Sequence, residues 1–183
     1  MKQAERQEFE YIRHGTQSLI ANWQVATGTV LSSSIAATRN EADFATHIAK
    51  TIETDAEAGW IFIVDQLNTH QSETLVRLLN RCCELNLDLG EKGKSGILQS
   101  MPTRAVFLSN PAHRIPCVYL PKHSSWLNQI ECWFSILVRR LLKRGNFTST
   151  QDLQQQILDF IAYFNRSFAK PFNWKFKGFP EPD

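Results

Sequence analysis

Two acidic residues sit where a carboxylate can do chemistry. Asp65 ends the apolar run Trp60-Ile61-Phe62-Ile63-Val64, and ligands in open α/β sheets collect at the carboxyl ends of strands. Glu131 lies in Trp126-Leu127-Asn128-Gln129-Ile130-Glu131, which has a helical period. With Leu127 as origin, Ile130, Phe134, Leu137, Val138 and Leu141 form an apolar face, and Glu131 falls about 40° round from the origin. An ionised carboxylate on that seam is costly unless something positive meets it. Two partners are open: a Lys or Arg in a salt bridge, or a metal ion. For Asp65 the plainer role is to cap the turn that follows. Together the two acids suit Mg²⁺ or Mn²⁺, which prefer oxygen ligands and leave positions for water and phosphate. Two such ions about 3.5–4 Å apart activate the attacking oxygen and stabilise the leaving one in phosphodiester cleavage. A site of that kind needs three or more carboxylates, and two are in suitable places.

Other chemistry is weighed around these acids. His70 and His123 beside Asp65 and Glu131 would fit a zinc or manganese hydrolase; otherwise they contact phosphate or orient a carboxylate. Lys122, Arg139, Arg140, Lys143 and Arg144 suit phosphate contacts, against the alternative of a solvated helix face. Residues 122–183 carry nine Lys/Arg against five Asp/Glu, whereas residues 1–60 carry five against eight. The basic excess therefore lies beside Glu131, which is compatible with a polyanionic partner. Ser124 and Ser125 next to His123 read as helix-capping residues rather than nucleophiles. Trp126 and Trp133 have core spacing. The aromatic stretch Phe168 to Phe179 either stacks on bases or packs on the domain, and packing is the expectation.

The elements that position these groups follow from period and punctuation. Residues 16–26 and 29–38 flank Thr27-Gly28 and predict a β-hairpin. Asn40 caps a helix over 41–54, with Phe44, Ile48 and Ile52 on one face. The run 60–64 is continuous, the mark of a strand covered on both faces. A helix over 70–86 follows, then a long Gly/Lys-rich loop over 87–104. Short strands are expected at 105–108 and 117–120. One helix runs from Ser124 to Lys143. Ser149-x-x-Asp152 opens a last helix carrying Leu153, Ile157, Phe160, Ile161 and Phe164. The order predicts an α/β layer arrangement with a mixed sheet.

The 183 residues are 43% hydrophobic and 21% charged, enough for one domain with a real core. Cys82, Cys83, Cys117 and Cys132 form no C-x-x-C pair, so neither a zinc site nor a disulfide framework is expected and a reducing cytoplasm is. No signal peptide or membrane span is predicted.

A resemblance adds to this. Asp65-Gln66-Leu67-Asn68-Thr69-His70 and Pro121-Lys122-His123-Ser124-Ser125-Trp126-Leu127-Asn128-Gln129-Ile130-Glu131-x-Trp133-Phe134 resemble the second and third acidic motifs of the mariner-superfamily transposases, in the branch of bacterial insertion sequences. Tyr11 to Thr16, Arg139 to Gly145, Tyr163-Phe164-Asn165 and Ala169-Lys170-Pro171-Phe172-x-Trp174 resemble the same branch. The resemblance implies an RNase H-like fold, Mg²⁺ or Mn²⁺ held by an Asp-Asp-Glu or Asp-Asp-Asp triad, and DNA cleavage and strand transfer in the bacterial nucleoid. Asp65 would be the second acid and Glu131 the third. Gln66, Asn68, His70 and Asn128 would support them. Lys122, His123, Arg139, Arg140, Lys143 and Arg144 would face DNA.

The first acid of that family lies on a strand upstream of the segment matched by Tyr11 to Thr16. No Asp precedes Tyr11, and residues 1–10 are not an apolar strand. The expectation is a partial catalytic domain over 1–166, lacking its first strand and the family's N-terminal helix-turn-helix, with a packed tail over 167–183. It would work with an upstream transposase segment or as a homo-oligomer. The alternative is an inactive remnant that still binds DNA or a transposase subunit.

Overall fold

The computed structural model describes residues 14–122 and 124–173. The hairpin forms as expected: β1 (Ser18–Gln24) pairs antiparallel with β2 (Thr29–Ala36), with a bulge between Asn22 and Trp23. Its turn needs Gly28, whose φ is +70° and whose amide donates to the Gln24 carbonyl at 2.8 Å. A Cβ there would also overlap the backbone carbonyl of Lys170. Gly28→Ala is therefore expected to cost about 2 kcal/mol, from the left-handed backbone and the displaced chain. Urea denaturation measures this, and a loss under half that size would show that the turn re-forms freely.

The hairpin has two different faces. Ile20 packs with α1 (Glu41–Ile52) in one apolar cluster, while Leu19, Ala21 and Trp23 join another. The face toward α1 is largely polar and hydrogen-bonded. Ser34 Oγ lies 2.9 Å from His47 Nδ1, and Asn22 Nδ2 donates to Thr51 Oγ1 at 2.6 Å. Asn40 caps α1 in a reciprocal capping box with Asp43, which satisfies two of the free amides at the helix start.

The first cluster is built by α1, β3 (Phe62–Val64), α2 (Glu73–Cys82), α3 (Met101–Leu108) and β4 (Cys117–Tyr119). β3 and β4 run parallel with Phe62 opposite Cys117. Residues 105–108 are helical, not a strand. Ser100 and Thr103 cap each other's backbone and Pro102 occupies the first turn, and these start signals outweigh the β-branched local composition. The preceding loop is anchored rather than loose. Leu89 and Leu98 are buried in the core, and the buried Arg104 donates to the carbonyls of Gln71 and Leu98 at 2.7 and 3.1 Å.

The second cluster lies on the other face of the hairpin, under α4 (Gln129–Leu137) and α5 (Thr150–Ser167), with Trp133 fully buried. The single helix expected over 124–143 is three pieces. A 3₁₀ turn spans Ser125–Leu127, α4 starts anew at its cap Asn128, and a π-helical turn spans Val138–Leu142. Ser124 makes no side-chain cap. Trp133 takes the expected core place, whereas Trp126 is half exposed. α5 opens as expected, with Ser149 Oγ accepting from the Asp152 amide at 3.0 Å.

Two sheet expectations are corrected. Among the described residues the four strands form two separate two-stranded sheets, one antiparallel and one parallel, instead of one mixed sheet. And β3 is covered on one face only: Phe62 and Val64 are buried, but Ile61 is 70% and Ile63 47% exposed. β1 and β3 do not pair, so among the described residues β3 has a strand neighbour on one edge only.

Candidate active site

Asp65 emerges from the carboxyl end of β3, where the parallel pair stops. Its Oδ1 lies 2.7 Å from His70 Nδ1 and accepts from the Leu67 amide at 3.2 Å. The capping role and the oriented-carboxylate role thus coexist on one oxygen. Oδ2 takes no hydrogen bond among the described residues, and the side chain is 39% exposed. His70 is held in turn: it sits in the 3₁₀ turn Asn68–Gln71, packs on Phe44 with ring centres 4.1 Å apart, and its carbonyl accepts from Tyr119 Oη at 2.8 Å. Burial pushes the Tyr119 phenol well above its ordinary pKa, so it stays protonated and able to donate. Gln66 Nε2 donates to the Leu120 carbonyl at 2.9 Å, tying the end of β3 to the end of β4. Asn68 is exposed.

Glu131 lies in the first turn of α4, exposed, next to the buried Ile130. It makes no ion pair among the described residues, so the salt-bridge alternative finds no partner there. Its position is set by Asn128, whose Oδ1 accepts from the Ile130 amide at 3.4 Å. A carboxylate in a helix's first turn is favoured by the amides there.

The donor atoms suit a hard divalent cation: carboxylate oxygens, one with a free lone-pair side. The number does not. Among the described residues no group of three His, Cys, Asp or Glu side chains is placed to hold a metal. His70 is committed to Asp65, and His123 lies outside the described residues. Asp65 and Glu131 therefore fall short of a complete metal site.

The basic residues gather elsewhere. Arg139, Arg140 and Arg144 line an open cleft of about 860 Å³ with Lys170 and the rings of Tyr163 and Phe168. The π turn, closed by the Lys143 amide on the Val138 carbonyl at 2.9 Å, adds a residue to the helix where these arginines begin. Arg140 lies over the Phe168 ring at 4.9 Å, a cation–π contact. Lys122 and Lys143 are exposed but do not line the cleft.

Residues 2–154 match the family described as DDE superfamily endonuclease. The chain belongs to that family. No curated protein and no solved structure matches it. As a DDE superfamily endonuclease domain it has a nuclease- or transposase-type function with DNA as substrate. Its mixed α/β architecture of small sheets and helices agrees with such a domain. None of the described helices is long and apolar enough to cross a membrane.

Sequence reasoning passed over three residues of this DDE endonuclease domain. Tyr119 supports His70 from the adjacent strand, which only the β3–β4 register shows. Lys170 completes the basic cleft, although its motif was visible. Asn165 caps the outer edge of β2 at Val30: its Nδ2 donates to the Val30 carbonyl at 2.8 Å and its Oδ1 accepts from the Val30 amide at 3.0 Å. Asn165 stands near the end of α5 and its motif is visible in the sequence, but helical period carries no signal for that contact.

Proposed function

We propose that this chain is the catalytic portion of a mariner-type transposase of a bacterial insertion sequence, carrying out DNA strand cleavage and strand transfer with Mg²⁺ or Mn²⁺. The observation that carries this reading is Asp65. It stands at the carboxyl end of a parallel strand with one oxygen fixed by His70 and the other open. Glu131, at the start of α4, supplies a second acid of the set. The remaining carboxylate comes from outside the described residues, and the chain alone is expected to cleave poorly.

A strand-transfer assay with Mg²⁺ or Mn²⁺ on DNA carrying the element's ends tests this. Little or no product from the isolated chain is expected, and robust cleavage by it would sink the incomplete-site reading. DNA binding is expected regardless, and a failure to bind DNA at low salt would count against the transposase reading itself. Inactivity together with retained DNA binding is also what the second reading predicts, an inactive remnant that still holds DNA or a transposase subunit. Restoring the third acid separates the two, because only the first reading then recovers cleavage.

The cleft between the π turn and α5 is the proposed DNA contact. Its guanidinium groups meet phosphates, and Tyr163 and Phe168 offer ring surface. Replacing Arg139 and Arg144 together by alanine is expected to weaken DNA binding uniformly over sequences. It should lower the slope of log K against log salt by about 2. Fluorescence anisotropy over a salt series reads this, and an unchanged slope would place the phosphates elsewhere.

A further inference from the structure

The basic cleft combines two kinds of surface. Its cations are Arg139, Arg140, Arg144 and Lys170, and among the described residues no carboxylate lines it. None of the four makes an ion pair among the described residues, so their charge is left for an anion from outside. Beside them stand open rings. Tyr163 is 46% and Phe168 41% exposed, and they meet edge to face with centres 5.4 Å apart. Exposed apolar surface of this kind marks a contact, and next to unpaired cations it suits a partner that is both anionic and flat. The wall that carries Lys170 is pre-formed. Phe172 stacks on Trp23 with ring centres 4.8 Å apart, and the Lys170 backbone lies against Gly28 in the hairpin turn. Little ordering of the protein is then required on binding.

A duplex uses only half of this surface. Its bases are stacked on one another, so it offers phosphate and sugar to the cations and no base face to the rings. The bases of a single strand are free, and each stacks on an aromatic side chain whatever its identity. Arg140 lies over the Phe168 ring at 4.9 Å and adds a guanidinium plane on which a base can also stack. Side chains that read base edges, Asn and Gln for adenine or Asp and Glu for cytosine, do not line the cleft among the described residues. The volume of about 860 Å³ is that of a pocket able to enclose a small molecule, enough for bases out of the stack.

We propose that this cleft binds single-stranded DNA in preference to duplex, with little regard to sequence. Phosphates meet Arg139, Arg144 and Lys170, and bases stack on Tyr163 and on the Arg140–Phe168 pair. Arg139 lies about 12 Å further along the same helical run than Glu131, so a strand held there runs beside the helix that carries that acid. The DNA partner rests on the proposed strand-cleaving function; the preference for an unpaired strand is additional to it.

The test uses the whole chain, a fluorescein-labelled single strand of about 12 nucleotides and its blunt duplex, with anisotropy read at one salt concentration. The single strand is expected to bind about tenfold tighter than the duplex, and strands of different sequence to bind alike. Tyr163→Ala should remove about tenfold of the single-strand affinity, and Tyr163→Trp, which keeps a ring, should retain it. On irradiation, a strand carrying 5-iodouracil should crosslink to Tyr163 or Phe168. If Tyr163→Ala loses its fold by circular dichroism, the wild-type crosslink decides alone. Duplex binding as tight as single-strand binding overturns the proposal and leaves the transposase reading standing. So does a single-strand preference that survives Tyr163→Ala, or a crosslink only at other residues, because the strand would then lie elsewhere. Equal binding of a glutamate peptide of matching charge also overturns it, because only charge would then be read. Failure to bind either DNA at low salt overturns the transposase reading as well.

Discussion

Trp133→Ala is expected to remove about 3–5 kcal/mol of stability. Trp133 is fully buried at the centre of the second cluster and packs edge-on to Phe164 at 6.4 Å and against Phe134 at 5.4 Å. Domains of this size typically have about 5–15 kcal/mol in total, so the variant would be close to unfolding. The cluster cannot collapse to fill the space, because α4 and α5 are both seated on the hairpin through it. Its Nε1 has no hydrogen-bond partner among the described residues. Trp133→Phe should therefore cost far less than Trp133→Ala, since only volume is lost. Urea unfolding followed by circular dichroism measures both. A loss below about 1 kcal/mol for Trp133→Ala, well under the usual range, would mean that the second cluster does not hold the hairpin.

The second large effect is a dependence on pH. Burial between α1 and the hairpin, aided by the nearby Lys50, lowers the pKa of His47 to about 4. In the unfolded chain a histidine titrates near its ordinary value of about 6.5. Between these values the unfolded chain binds a proton that the folded chain refuses, so stability rises with pH across the window and levels off above it. The full contribution is about 3 kcal/mol. It is complete above pH 6.5 and is lost as pH falls toward 4. Urea midpoints at pH 7.5, 6.0 and 5.0 for the wild type and His47→Asn test this. The wild type should lose stability steeply over that range and the variant much less. Parallel curves would rule out His47 as the source.

Local signals made much of the fold legible. Asn40, Ser149 and the Thr27-Gly28 turn each fix an element within a few residues, and the structure forms all three as read. The same kind of signal was overlooked at Ser100-Met101-Pro102-Thr103, where a capping box turns an apparent strand into α3. The break of the helix at Asn128 was hidden because apolar residues continue on both sides of it. Period alone cannot report a cap used in mid-run. Ile61 and Ile63 show the opposite limit. A continuous apolar run implies cover on both faces, but the cover must come from residues far away in sequence or from another chain. For the site, the two acids could be picked out one by one from their positions at the ends of elements. What holds Asp65 could not, because Tyr119 reaches His70 only through the register of a parallel pair.

The side-chain amide of Asn165 has a consequence for how the protein behaves when concentrated. It offers one donor and one acceptor to Val30, as a neighbouring chain would, and so acts as a one-residue plug. On the β2 side of the hairpin, one amide and one carbonyl are thereby out of reach of any strand that a neighbouring molecule could lay there.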